Sequence, residues 1–130
     1  MRIISFIIIA FLISSCNEKK SSSKEELVEG QWKIIEIDGE EVNVLEGIHF
    51  APNRQYFKVD SQGKMVPRLI EKIWSVDGDT LKMVDYNWEP EFIEENGTSI
   101  FIIQELTNEV MILEDVKNFK GQVIKYKKRK

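Results

Sequence analysis

The chain has one cysteine, one histidine and three prolines in 130 residues. A single thiol cannot pair within its own chain, so no disulfide framework holds the fold. With Cys16 and His49 the only members of their types, a zinc site built from His and Cys is excluded. A serine nucleophile would have only His49 as its base, and no Gly-x-Ser-x-Gly elbow is present. Basic charge is not in excess: 18 Lys and Arg stand against 22 Asp and Glu, for a net charge of −4. That balance, with no dominant basic stripe, argues against a nucleic-acid partner. Beyond the first 13 residues no apolar run approaches the roughly 20 needed to span a bilayer. After Gly30 there is also no long segment with a 3.6-residue period, which argues against a helical domain.

What is present begins with a leader. Met1-Arg2 supplies a positive start, and residues 3–13 are apolar except for Ser5. This is the length of a signal-peptide core and too short for a transmembrane helix. The run ends in Ile13-Ser14-Ser15-Cys16, which resembles the lipobox read by lipoprotein-processing enzymes. Small side chains before the cut let an extended backbone enter a peptidase site, and the thiol is the nucleophile that is alkylated. The resemblance implies a signal peptide over residues 1–15 and a lipidated Cys16 bearing diacylglycerol and a further acyl chain such as palmitate. The alternative is an ordinary secretory leader followed by an incidental free thiol. Two or three acyl chains, at about 0.8 kcal/mol per buried CH₂, anchor a protein durably. Asn17 stands where Asp would signal inner-membrane retention, so the expected location is the cell envelope, at the outer membrane where one exists. Residues 16–23 read as the lipidated Cys and a polar, Ser-rich linker. With Arg2 in the leader, the remainder carries 17 basic and 22 acidic side chains, net −5.

Residues 24–130 have the length of one small domain. Ser23-Lys24-Glu25-Glu26 fits a helix capping box, and Gly30 stops that helix after one or two turns. Beyond it the sequence reads as strands between tight turns. The expected strands are 31–37, 47–51, 54–59, a long segment 65–76 with Pro67 at an edge or bulge, 80–84, 91–95, 98–106, 110–116 and 122–128. Asp38-Gly39, Asp77-Gly78 and Asn96-Gly97 are the hairpin signals. About eight short strands with local connections favour an all-β domain: a small antiparallel up-and-down barrel, whose closure removes exposed edges, with a short N-terminal helix. Alternation turns Ile124 and Tyr126 inward, and Trp74, Val76, Leu81 and Met83 form one inward face across a hairpin. The same phase turns Lys72, Ile70 and Arg68 inward, unless a bulge near Pro67 leaves them solvated. His49, between Ile48 and Phe50, should face solvent.

The short helix followed by Gly30-Gln31-Trp32 resembles the opening of the lipocalin and lipocalin-like fold, and the later segments Trp74–Leu81 and Leu106–Leu113 resemble small lipocalin-like bacterial lipoproteins. The resemblance spans residues 24–130. It implies that Trp32 packs across the closed end of the barrel beneath a basic side chain from the end of the last strand, Lys127 or Arg129. A Thr-Asp pair typical of a later hairpin in that family is not evident.

Two functions are compatible with these residues, neither of them enzymatic. One is a binding module for a small apolar or amphipathic ligand, lined by Phe50, Phe57, Trp74, Leu81, Met83, Ile102, Met111 and Tyr126. The other is an interaction or structural lipoprotein whose barrel is filled by those same side chains and whose loops contact an envelope protein. Tyr86 and Trp88, in a loop rich in carboxylates, are candidates for a binding rim, or for a lid over the barrel mouth. The carboxylates themselves match no calcium loop. No catalytic residue, metal site or cofactor is expected. The expected partners are the membrane, through the anchor, and a small hydrophobic ligand or an envelope protein, with the domain monomeric. The basic tail 125–130 reads as a solvated strand end, or as a patch that touches anionic headgroups.

Overall fold

The computed structural model describes residues 23–43, 46–66 and 71–129. The leader, Cys16, Pro67, Arg68 and Ile70, on which some of the sequence expectations rest, lie outside them. Helix α1 (Lys24–Val28) begins at Ser23, whose hydroxyl accepts from the Glu26 amide at 3.3 Å. Among the described residues nine strands follow: β1 (Gly30–Ile37), β2 (Glu40–Glu41), β3 (Gly47–Phe50), β4 (Tyr56–Val59), β5 (Lys72–Asp77), β6 (Thr80–Asp85), β7 (Thr98–Leu106), β8 (Val110–Asp115) and β9 (Val123–Lys128).

The strands form one antiparallel sheet in the order β4-β3-β1-β9-β8-β7-β6-β5, with the short β2 folded back on β1. First and last long strands are neighbours, so the meander curls into a nearly closed barrel of eight strands. Its seam lies between β4 and β5, joined by a bridge from Gln55 to Ile73 and by the Trp74 amide donating to the Arg54 carbonyl at 2.8 Å. The Asp38-Gly39 turn has both residues at positive φ (51° and 82°), as a two-residue turn matching strand twist requires.

Two bulges keep acids out of the interior. β1 places Trp32 and Ile34 inward, so strict alternation would bring Glu36 in as well. The register slips between Ile34 and Glu36, pairing Glu36 with Lys125 and Ile37 with Ile124. β7 repeats the device between Ile103 and Glu105, so that Leu106 pairs with Met111 and Glu105 stays outside. In each case one extra residue moves a carboxylate to solvent and an aliphatic side chain to the core.

The end of the barrel where β1 starts is plugged. Trp32, fully buried, donates its indole N–H to the Val28 carbonyl of α1 at 2.7 Å. The Lys128 ammonium stands 5.1 Å from its ring centroid and reaches the Leu27 carbonyl at 3.4 Å. The basic cover is therefore Lys128, not Lys127 or Arg129. Lys128 is the Cα partner of Trp32 across the β1–β9 pair, so the two side chains rise on the same face. Arg129 points the other way and binds the Asp60 and Ser61 carbonyls at 3.2 and 2.7 Å. With Gln31, which donates to the Gly63 carbonyl, it clamps the β4 exit turn outside the barrel. That turn is also stitched internally: amides of Lys64 and Gln62 donate to the Asp60 carboxylate and lower its pKa. α1 is tied around the same end by Lys24 to Asp79 and by Glu25 to Arg54 at 2.6 Å, while Arg54 lies 5.0 Å over the Trp74 ring.

One expected stretch differs in kind. Residues 91–95 were expected as a strand before an Asn96-Gly97 hairpin, but Pro90–Phe92 form a 3₁₀ turn that runs into a single π-helical turn, Ile93–Gly97. Pro90 suits a first helical position, and acidic Glu91, Glu94 and Glu95 suit helix N-termini. The Thr98 hydroxyl then donates to the Ile93 carbonyl at 2.8 Å and closes the turn. β6 pairs directly with β7, Val84 opposite Thr98, which leaves 86–97 as their connection. The long segment 65–76 is also broken: Met65 bridges to Val59, and β5 begins only at Lys72.

Gly30 has φ +119°, and a Cβ there would lie 2.7 Å from the Lys128 Cε. Gly30→Ala should therefore both strain the backbone and push the cover off Trp32, lowering stability by about 1–3 kcal/mol in urea unfolding. Tyr126 gives a pH test. Burial, with a smaller push from Asp115, holds its hydroxyl far above the ordinary 10.0. The unfolded chain thus ionises first, and stability intact below pH 10 should fall by up to about 1.4 kcal/mol per unit above it. Urea midpoints measured from pH 8 to 11 should show that slope reduced in Tyr126→Phe.

Candidate functional site

The interior divides into two halves. Toward the plugged end it is solid: Trp32, Phe50, Trp74, Leu81, Met111 and Leu113 are each under 2% exposed. Phe50 meets Trp74 edge-to-face at 5.6 Å between centroids. Toward the other end, beside the seam, a cavity of about 270 Å³ is bordered by Ile34, Glu46, Gly47, Ile48, Tyr56, Lys58 and Lys72. Strand register explains this set. Ile48 faces Trp32 across β1–β3 and Lys58 across β3–β4. All three side chains therefore share the inward face, with Ile34 two residues beyond Trp32.

The wall is apolar on one side and charged on the other. Ile34, Ile48 and the Tyr56 ring form the apolar side. Lys72 is paired with Asp85 at 3.2 Å, each side chain about one-fifth exposed, and its ammonium lies 5.7 Å from the Tyr56 ring centroid. Lys58 is paired with Glu46 at 2.6 Å, but both of these side chains are more than half exposed. An ion pair so hydrated is worth about 0–1 kcal/mol, whereas the shielded Lys72–Asp85 pair is harder to separate. Lys72 thus faces inward, as the alternation of β5 implied.

None of the eight residues expected to line a ligand site borders this cavity. Phe50, Trp74, Leu81, Met83, Met111 and Tyr126 belong to the packed core. Phe57 and Ile102 face outward: Phe57 pairs with His49, and Ile102 with Thr80 and Glu114. The inward members at those places are Tyr56, Phe101 and Ile103. Residues 100–103 are all apolar, so alternation carries no phase there. The phase of β4 depends on the five-residue turn 51–55, where Arg54 adopts φ +72°. No local signal marks Lys58 as inward, because a lysine between Phe57 and Val59 is ordinarily read as the outward member of the strand. His49 lies on the outward face as expected but is half-buried rather than solvated, its Nδ1 enclosed and without a hydrogen-bond partner.

Tyr86 and Trp88 lie in the β6–β7 connection and are each nearly half exposed. A Cβ on Gly97 would meet the Trp88 ring at 2.9 Å, so Trp88 rests one edge on Gly97 and leaves the other to solvent. Phe92 and Phe119, on this and the β8–β9 connection, add exposed aromatic surface. Neither Tyr86 nor Trp88 borders the cavity.

A meander barrel whose first and last strands pair, with a short helix and a buried Trp at one end, defines a lipocalin-like fold. Two solved structures share it. One is a lipocalin-like protein from Bacteroides uniformis ATCC 8492, with a TM-score of 0.54 at 15% identity, covering 79% of this chain and 99% of that one. The other is an uncharacterized protein from Bacteroides eggerthii DSM 20697, with a TM-score of 0.55 at 14% identity, covering 78% and 99%. No family model matches the sequence, and no curated protein does. At this identity the likeness establishes the fold.

Of the three tryptophans, Trp32 and Trp74 are sealed and Trp88 is open. Acrylamide should quench one emitting population only, the red-shifted one. Trp88→Phe should remove that population and leave the unfolding free energy within about 0.5 kcal/mol. Quenching that persists in this variant would place solvent next to the core indoles.

Proposed function

We propose that this chain is a membrane-anchored lipoprotein whose lipocalin-like barrel binds a small apolar or amphipathic ligand without transforming it. The observation that carries the binding reading is the cavity at the open half of the barrel. At about 270 Å³ it falls just under the roughly 300–1,000 Å³ of drug-sized sites. An apolar cavity of about 150 Å³ already admits benzene, so the ligand is compact. The lipobox-like Ile13-Ser14-Ser15-Cys16 supports the anchor and an envelope location. Residues 1–15 are then the signal peptide, 16–23 the lipidated Cys and spacer, and 24–130 the binding domain. Binding without chemistry accords with the placement of His49 on the outer surface, away from the cavity.

A second reading has its own support. The exposed Tyr86, Trp88, Phe92 and Phe119 suit contact with an envelope protein, with the plugged half of the barrel as scaffold. Native mass spectrometry of the protein purified from its host separates the two. A co-purifying small molecule is the expected result; an apo mass together with a captured envelope protein would favour the second reading. Cys16→Ser should move the protein from the membrane fraction to the soluble one, and retention of that variant would refute the anchor.

A further inference from the structure

We infer that the cavity selects a compact apolar ligand with a single anionic head, which Lys58 receives by giving up Glu46. The inference rests on the reading that the cavity binds a ligand, and it adds the class of that ligand. The cavity has one apolar wall, Ile34, Ile48 and Tyr56, facing the Lys58 and Lys72 ammonium groups and the Glu46 carboxylate that pairs with Lys58. An uncharged ligand would satisfy only the apolar wall. A cationic ligand could find only the Glu46 carboxylate, which Lys58 already holds at 2.6 Å, and would sit among two ammonium groups, one of them beside the Tyr56 ring. An anionic head satisfies both walls, and the two ion pairs show which lysine can take it.

Asp85 is the direct cross-strand partner of Lys72, in a pair largely removed from water. Displacing that carboxylate would leave it shielded from water and without its counter-charge, with only the Asn87 amide donating to it at 3.0 Å. Glu46 is different. It sits outside any strand, just ahead of β3, with more than half of its side chain in water. On release its carboxylate can hydrate, so exchanging it for a ligand anion swaps one Lys58 ion pair for another. Lys72 remains held by Asp85 and adds attraction at longer range. The chain therefore carries its own stand-in for the ligand head: Glu46 holds Lys58 in place while the cavity is empty.

The test uses four probes that share one body and differ in the head: phenylacetate, phenylmethanesulfonate, 2-phenylethanol and 2-phenylethylamine. All are water-soluble and small enough for the cavity. Each is titrated into the processed protein in lipid nanodiscs, with empty nanodiscs as the blank. Phenylacetate should bind about tenfold or more tighter than the alcohol, and the amine weakest. Lys58→Gln should cost phenylacetate about tenfold and leave the alcohol within about twofold. Glu46→Gln, a change at an exposed side chain, should tighten phenylacetate by about threefold or more, because the competitor is gone. Sulfonate binding equal to carboxylate would assign a general monoanion site; carboxylate alone would assign a carboxylate site. Equal affinities for acid and alcohol, preference for the amine, or no gain in Glu46→Gln would each overturn the inference while leaving a binding barrel intact. If none of the four probes binds, the ligand-binding reading falls with it.

Discussion

The barrel depends on the burial of one indole. Trp32 closes the end of an eight-strand meander that would otherwise open to water at both ends. Its N–H is taken by Val28, its face by Lys128, and its edges by the surrounding core. Each contact recruits a different part of the chain: α1, the last strand and the interior. The first and last strands are held side by side through the Trp32–Lys128 pairing. Closure is thus a long-range contact, which ties the two ends of the domain into one cooperative unit. Gly30 belongs to the same arrangement, since only a residue free of Cβ admits Lys128 at that point.

From that plug the interior is built outward, and the supply of large side chains runs out before the space does. Two tryptophans, a phenylalanine and several aliphatic residues fill the base. Near the seam the inward positions fall to Ile34, Ile48, Tyr56 and two lysines, whose charged ends cannot fill an apolar core. A cavity results where β4 and β5 fail to pair along their length. The bulges in β1 and β7 show that the fold has a means of turning unwanted charge outward, and it spends one residue in each strand to do so. No such slip interrupts the β3–β4 pairing that carries Lys58 inward, or the β5–β6 pairing that carries Lys72.

Much of this architecture is legible in the residues themselves. The Asp-Gly turns, the alternation in β9, the inward face shared by β5 and β6, and the Ser23 cap are local signals, and all are found where local chemistry puts them. The plug is legible only in part: Gly30 and Trp32 stand out, but the identity of the covering lysine depends on cross-strand register. Phases set by a turn or a partner strand are not legible. Phe57 and Ile102 are as apolar as Tyr56 and Phe101, and nothing local to them says which face they take. The segment 90–97 contains a strong hairpin dipeptide, yet Pro90 and direct β6–β7 pairing turn it into a short helical connection. The cavity is the least legible feature, because it arises from what the core lacks.

The place where the domain begins gives the barrel a direction. Ser23 caps a helix pinned to the plugged base, through Lys24 at the β5–β6 turn and Glu25 at the β3–β4 turn. Seven peptide steps separate Ser23 from Cys16, at most about 25 Å of extended chain. A lipid on Cys16 would therefore tether the barrel at its plugged end, and the cavity would lie toward the end farther from the attachment point, as the bowl of a cup lies away from a cord tied to its foot.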